Sequence, residues 1–323
     1  MGPWLARRLL QSAATFAVVV VLLFVLMRLA PGDPLTRLQD GRQMTQEEIE
    51  WTRKLYGLDR PVHVQFADFL RGVGRGELGT SIAYGLPVTT LIASRLPATL
   101  LLGGTVLLLN FTLGLWLGVR QAVRRGSRED RWLTGLSLTG YAIPSFWLGL
   151  VLAWAFGVEL RWLPSGGMSD PLLPVDAAPV TRILDVASHL LLPAVTLSAV
   201  TVAGTMQYQR GAMLEVLRLP YIVTARAKGL RESAVTWRHA WRNALFPIVT
   251  LFGLWLPVLV TGSVFVETVF VWPGLGSLAA GAVGGRDYPL LMGTSLLAAG
   301  LVISANLVTD VAYAALDPRV RYS

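Results

Sequence analysis

The sequence predicts an all-α polytopic membrane protein with six transmembrane helices. Three observations carry that expectation. Hydrophobic residues make up 53% of the 323 and charged residues only 15%, with a mean hydropathy of +0.54, whereas a soluble domain is about one-quarter charged. Six apolar runs, at residues 9–27, 96–119, 133–156, 190–206, 245–266 and 290–316, approach or exceed the roughly 20 residues a helix needs to cross hydrocarbon. The third observation is the placement of lysine and arginine. Arg7 and Arg8, five arginines in 120–131, seven basic residues in 207–244, and Arg319 and Arg321 make sixteen on one side. Only Arg161, Arg182 and Arg286 occupy the short loops opposite. Cytoplasmic loops carry the excess, so both termini are expected in the cytoplasm. The 30–95 segment does not enter this tally, since long loops cross largely regardless of charge.

The same composition excludes several chemistries. Cysteine is absent, which removes disulfides, thiolate catalysis and thiolate metal sites. His63, His189 and His239 are scattered, with no i, i+4 pair to hold a metal. No Gly-Lys pair occurs, so there is no phosphate loop and the chain is not expected to hydrolyse ATP. H-E-x-x-H and G-x-S-x-G are missing too. No cofactor and no nucleic acid are expected for this chain; its net charge of +8 reads as membrane topology.

Taken in order, residues 1–29 form the N-terminus and first span. A cleaved signal peptide is the alternative, but its apolar core is usually about 7–15 residues and no small-x-small site precedes Pro31. Residues 30–95 are polar, with turns at Pro31-Gly32-Asp33-Pro34 and 72–79 and short helices expected at 45–55 and 62–70. Thr45 and Glu48 have the spacing of a capping box. Residues 96–316 hold the other five spans, and 317–323 a cytoplasmic tail. The 157–188 loop carries Pro164, Pro171, Pro174 and Pro179 and is expected to be irregular, with Trp162 at the membrane interface.

Between the fourth and fifth spans, residues 207–244 form a basic, helix-forming loop. Pro220 suits the first turn of a helix over 221–228. Gly229 can leave that helix in a left-handed conformation, and Ser233 can cap a second helix toward Ala244. On the second helix Ala234, Trp237, Trp241 and Ala244 have the spacing of one apolar stripe, with Arg231, Arg238 and Arg242 on another face. Such a loop can dock into a groove of a soluble partner; the alternative is a basic linker held by anionic lipid.

The run Thr224-Ala225-Arg226-Ala227-Lys228-Gly229-Leu230, followed by His239-Ala240-Trp241-Arg242-Asn243-Ala244-Leu245-Phe246-Pro247, resembles the coupling loop of ABC-importer permeases. The likeness is to the dipeptide/oligopeptide (and nickel) group, in its first-permease, or B-type, component. Val223-Thr224-Ala225 stands where many permeases have Glu-Ala-Ala, a departure the peptide group shares. Further words extend the resemblance from Arg28 to Tyr322: Tyr56-Gly57-Leu58-Asp59, Leu78-Gly79-Thr80-Ser81, Glu267 through Trp272-Pro273-Gly274-Leu275-Gly276, Arg286-Asp287-Tyr288-Pro289, and Asp317-Pro318-Arg319.

The resemblance implies the ABC type I importer transmembrane fold in a bacterial or archaeal plasma membrane. It implies as partners a homologous second permease, two ABC ATPase subunits that bind ATP and Mg, and an extracytoplasmic substrate-binding protein. Coupling to the ATPase would fall to Thr224, Ala225, Ala227, Lys228, Gly229, Trp237, Arg238, Trp241 and Arg242. Short peptides are the implied cargo; nickel, glutathione, opines or oligosaccharides would use the same machinery. An ion-driven secondary transporter and a membrane enzyme are the rival classes.

Polar groups inside spans mark a wet path or bonds between helices. The candidates are Arg28, Asn110, Thr139, Ser145, Asn306 and Asp310, with Glu267 at the outer end of the fifth span for gating or docking. For Asp310 a structural arginine partner is the alternative. Pro144, Pro193, Pro247 and Pro257, with Gly253 and Gly262, are expected to kink or loosen their helices.

Overall fold

A computed structural model of the chain describes residues 2–29, 45–55, 57, 59–245, 247–248, 253, 255 and 264–316. Among the described residues there are helices and turns, no strand, and one isolated bridge from Thr80 to Pro87. Among the described residues, four helices are long and apolar enough to cross a membrane, or five if one sharply bent pair counts as a single span. The expected fifth run, 245–266, falls largely outside the described residues. Gly253, one of its described positions, lies so close to Thr309 that a Cβ there would meet Thr309 Oγ1 at 2.2 Å.

Helix α1 (Gly2–Leu29) is apolar on nearly all sides, and only Val20 and Phe24 are buried. An all-round apolar helix needs hydrocarbon around it. It packs on the last helix, α12, and sets Phe24 against Phe66 and Phe69, at ring-centroid distances of 4.9 and 5.8 Å. α2 (Gln46–Leu55) starts with the expected capping box. Thr45 N–H donates to Glu48 Oε2 at 2.8 Å and Glu48 N–H to Thr45 Oγ1 at 3.2 Å. α3 (Val62–Arg75) ends at Gly76, φ 75°.

α4 (Val88–Val123) outruns the expected 96–119 at both ends and contains a wide π turn, Asn110–Gly114. Its first turns are helical because Val88, Leu91 and Ile92 fill a core with Leu275, Leu278 and Leu290. The expected third span, 133–156, is not one straight helix. α5 (Arg128–Ala142) and α6 (Ser145–Glu159) meet at 100°. Pro144 supplies no N–H and holds Ile143 extended, with ψ 125°, as a residue before proline prefers.

α7 (Pro179–Val216) is the central helix, also longer than the expected 190–206. Pro179 was expected in an irregular loop; it occupies the first turn instead, where its missing N–H costs nothing. The irregular stretch therefore shrinks to 160–178. After α7 come α8 (Pro220–Ala227) and α9 (residues 232–244), then α10 (Val264–Val269), α11 (Leu275–Gly284) and α12 (Tyr288–Leu316). α4 and α7 run parallel, with Gly114 beside Thr205 and Gly118 beside Met206 and Gln209. A Cβ at Gly118 would stand 2.6 Å from the Met206 carbonyl oxygen, so only glycine permits this approach.

Candidate functional site

The α8–α9 elbow is built by local rules. Leu219 is extended, Pro220 opens α8, and Lys228 closes it. Gly229 then adopts φ 76°. Its N–H donates to the Arg226 carbonyl at 2.9 Å, and Leu230 N–H donates to Ala225 O at 3.4 Å. These two bonds form a Schellman ending, which satisfies carbonyls the helix would leave bare. A Cβ at Gly229 would meet nothing within 4 Å. The demand for glycine is therefore one of backbone conformation, worth roughly 1–2 kcal/mol against an L side chain.

The inner face of the elbow is locked to the bundle. Ile222 and Ala225 of α8, with Val235, Ala240 and Ala244 of α9, pack against Val119 and Ala122 of α4 and Met213 of α7. Ala225, expected at the docking surface, is thus buried in the chain's own core. The expected stripe of Ala234, Trp237, Trp241 and Ala244 is corrected as well. Val235, Thr236, Ala240 and Ala244 point inward, while Trp237 is 44% exposed. The cause is a π turn over Val235–Ala240, which rotates the helix surface away from 3.6-residue spacing. Trp241 is half-buried and meets Trp237 edge-on, 5.5 Å between centroids at 69°.

The outer face presents an exposed apolar stripe made by Val223 and Ala227, four residues apart on α8, and by Leu230 just beyond the left-handed Gly229. Thr224 and Lys228 flank it; the Thr224 hydroxyl is spent on the Pro220 carbonyl at 3.1 Å. Arg238 and Arg242 are exposed on α9. Ser233 does not cap α9, which starts at Glu232 with no side-chain cap. Glu232 instead reaches across the glycine to Arg226, with nitrogen–oxygen distances of 2.8 and 3.3 Å. At the base, Asn243 Nδ2 donates to Tyr221 Oη at 2.6 Å and joins α9 to α8. Sequence reasoning missed both braces. Opposite charges six residues apart around a glycine were a signal for the first.

On the same end of the bundle, Arg210 of α7 clasps buried Asp130 of α5 with two bonds of 3.1 and 3.2 Å. Gly126 N–H adds a third bond to that carboxylate at 2.8 Å. The elbow, α4, α5 and α7 are therefore one mechanical unit at this end.

The residues proposed for a path lie on six helices, α1, α4, α5, α6, α10 and α12. Asn110 is fully buried in the π turn of α4, and its amide has no hydrogen-bond partner among the described residues; Ser198, Thr205 and Gln209 of α7 hold further such atoms. Ser145 is half-buried at the start of α6, while Thr139 and Asn306 are exposed. Asp310 pairs with Arg8 of α1 at 3.3 Å, the arginine partner that sequence allowed. Arg28 donates to the Gln65 side chain. Glu267 is fully buried, its carboxylate accepting from Ser277 N–H at 2.9 Å and Thr99 Oγ1 at 3.3 Å. A Cβ at Gly274 would lie 2.4 Å from that carboxylate. Glu267 thus anchors the N-terminus of α11, where helix N–H groups favour an anion.

A further buried carboxylate at the Glu267 end escaped sequence reasoning. Asp287 accepts from Ser81 Oγ at 2.5 Å, Ala83 N–H at 2.9 Å and Leu290 N–H at 3.2 Å. The Leu78-Gly79-Thr80-Ser81 and Arg286-Asp287-Tyr288-Pro289 words meet here, although Ser81 and Asp287 are 206 residues apart.

Comparison with known proteins now bears on this geometry. Residues 110–322 match the family described as binding-protein-dependent transport system inner membrane component, and residues 1–103 match the N-terminal region of the same class of membrane component. The oligopeptide transport system permease protein AppB of Bacillus subtilis is 41% identical over 323 residues, all of both chains. The di/tripeptide transport system permease protein DppB of Pseudomonas aeruginosa is 39% identical, over all of this chain and 99% of its own. The dipeptide transport system permease protein DppB of Escherichia coli is 36% identical over the same shares.

Proposed function

We propose, since this chain belongs to the family of binding-protein-dependent transport system inner membrane components, that it is the B-type permease subunit of an ATP-driven importer of short peptides. Relatives named as oligopeptide and dipeptide permeases over their full length support the cargo class. The chain itself is a transport subunit; two partner ATPase subunits bind ATP with Mg and hydrolyse the ATP. A homologous permease completes the translocation pathway, and a substrate-binding protein delivers the peptide from outside. Both termini and the elbow face the cytoplasm, a reading the arginine and lysine placement supports.

One observation carries the mechanism: the elbow's inner face is fused to α4 and α7 while its outer face lies bare. The ATPase grips the Val223–Ala227–Leu230 stripe and its flanking Thr224 and Lys228, with Trp237, Arg238 and Arg242 at the margin. ATP-driven closure of the ATPase pair moves the stripe. The small residues beneath, Ala225, Ala240 and Ala244, pass that displacement to α4 and α7, because a close-packed interior transmits strain instead of absorbing it. The permease pair then opens outward to receive peptide, and hydrolysis resets it. Cysteine crosslinking from Ala227 and Leu230 to each copurifying subunit tests this, alongside ATP-dependent uptake of labelled dipeptide into vesicles. Crosslinks to an ATPase, shifted by nucleotide, are expected. A stripe that crosslinks to no ATPase, or uptake that persists without ATP, overturns the reading.

A further inference from the structure

At the opposite end from the elbow, a half-open cleft of about 350 Å³ lies between the last turn of α1, α3 and the start of α12. Its floor is apolar, with Phe24, Met27, Phe69 and Met292. Its walls carry both signs of charge. Gln65 accepts from Arg28 and donates through Nε2 to the Arg60 backbone carbonyl at 2.6 Å, and both arginines line the cleft. Asp68, which also lines the cleft, is shared between Arg60 at 3.0 Å and Arg71 at 2.9 Å. One carboxylate therefore does not saturate the donors of two arginines. Glu77 follows the left-handed Gly76 and faces the same cleft. It is exposed, and its carboxylate has no hydrogen-bond or ion-pair partner among the described residues.

The height of this cleft limits what can enter it. Arg28 closes the apolar run of α1 and Tyr288 opens that of α12, so the cleft lies where hydrocarbon gives way to headgroups. α1 is exposed along most of its length, which leaves lipid as its neighbour. We propose that this cleft binds a phospholipid headgroup bearing a primary ammonium, that of phosphatidylethanolamine. Arg28 and Arg60 take the phosphate through charge-assisted hydrogen bonds, and Glu77 takes the ammonium. The floor of Phe24, Met27 and Met292 covers the glycerol and the first methylenes. A peptide carries the same pair of charges but lacks acyl chains to occupy that floor. The inference rests on the membrane spans and not on the coupling reading, so either can fail alone.

The test uses the full-length chain with the subunits that accompany it, delipidated in mild detergent and titrated while retained lipid is counted by native mass spectrometry. The probes are phosphatidylethanolamine, its mono-, di- and trimethylated forms, phosphatidylglycerol and a dipeptide. Retention is expected to fall stepwise with methylation, reaching about tenfold for the trimethylated lipid, since each methyl removes an N–H donor. Glu77→Gln brings that ratio near one, Glu77→Asp keeps the preference, and Arg28→Gln weakens both lipids. Equal retention of the methylated series by the unmutated chain overturns the proposal without any variant. So does phosphatidylglycerol held as well as phosphatidylethanolamine, which would mean that phosphate alone is read. Displacement of the lipid by dipeptide would assign the cleft to cargo and overturn it too.

Discussion

The two ends of the bundle are held together by different physics. At the elbow, the contacts between α4, α7, α8 and α9 are small and apolar, with Ala122, Ala225, Ala240 and Ala244 filling the joint. At the far end, two buried carboxylates, Glu267 and Asp287, are pinned by backbone N–H groups and hydroxyls. Apolar packing is non-directional, so a joint of alanines can tilt while keeping its contacts. Hydrogen bonds to a buried carboxylate are directional, and leaving one unmade is costly. The elbow's seat on α4 and α7 is therefore greased, with the Arg210–Asp130 clasp tying α5 to α7 beside it, and the far end is tied by its carboxylates.

The largest effect should come from untying the far end. Asp287→Ala strands the donors of Ser81, Ala83 and Leu290, and at about 1–3 kcal/mol for each stranded group the loss should exceed about 3 kcal/mol. Thermal unfolding of the detergent-solubilised protein reads this directly. A melting temperature matching that of the unmutated chain would erase the contrast between the ends. Next comes Gly229→Val, which places a β-branched residue at φ 76°. Uptake should fall by more than about tenfold, with membrane insertion unchanged, since the strain exceeds the roughly 1–2 kcal/mol of an unbranched residue. Transport at the normal rate would show that the elbow's shape is dispensable.

Ala225→Leu probes the joint itself. Overpacking there should cost about 1–3 kcal/mol and lift α8 from α4. ATP hydrolysis by the accompanying ATPase subunits should continue while peptide uptake drops; parallel loss of both activities would point to misfolding. The smallest effect belongs to the brace. Arg226→Glu alone should shift stability by under about 1 kcal/mol, because the pair is exposed. Pairing it with Glu232→Arg should restore uptake, and failure of that swap would assign Arg226 to a contact outside this chain.

Much of the elbow was legible in sequence, because its signals are local, as are those of the capping box on α2. Pro220 opening α8, Gly229 turning left-handed and the Thr45–Glu48 box all depend on neighbours within a few residues. The apolar runs announced the spans. Their ends were less legible, since Val88 and Leu91 become helical only through contacts with Leu275 and Leu290 far along the chain. The facing of α9 was misread because a π turn changes the period that any stripe argument assumes. Pro144 was expected to loosen its helix, but spacing alone could not give a bend of 100°. Asp287 was quoted as part of a word, yet nothing local indicates that its partner is Ser81. Ala225 was noticed for its position in a motif and turned out to be the part of that motif facing inward.

α7 also acts as a lever. Its 38 residues give a rod of about 57 Å at 1.5 Å per residue. With Gly118 bringing α4 against its backbone, the two would swing as a single boom. Tilting such a rod by about 5° sweeps its far tip through about 5 Å, comparable to one helical turn. On the proposed mechanism, a modest stroke at the elbow would become a displacement of helical-turn size at the other end, through gearing set by helix length alone.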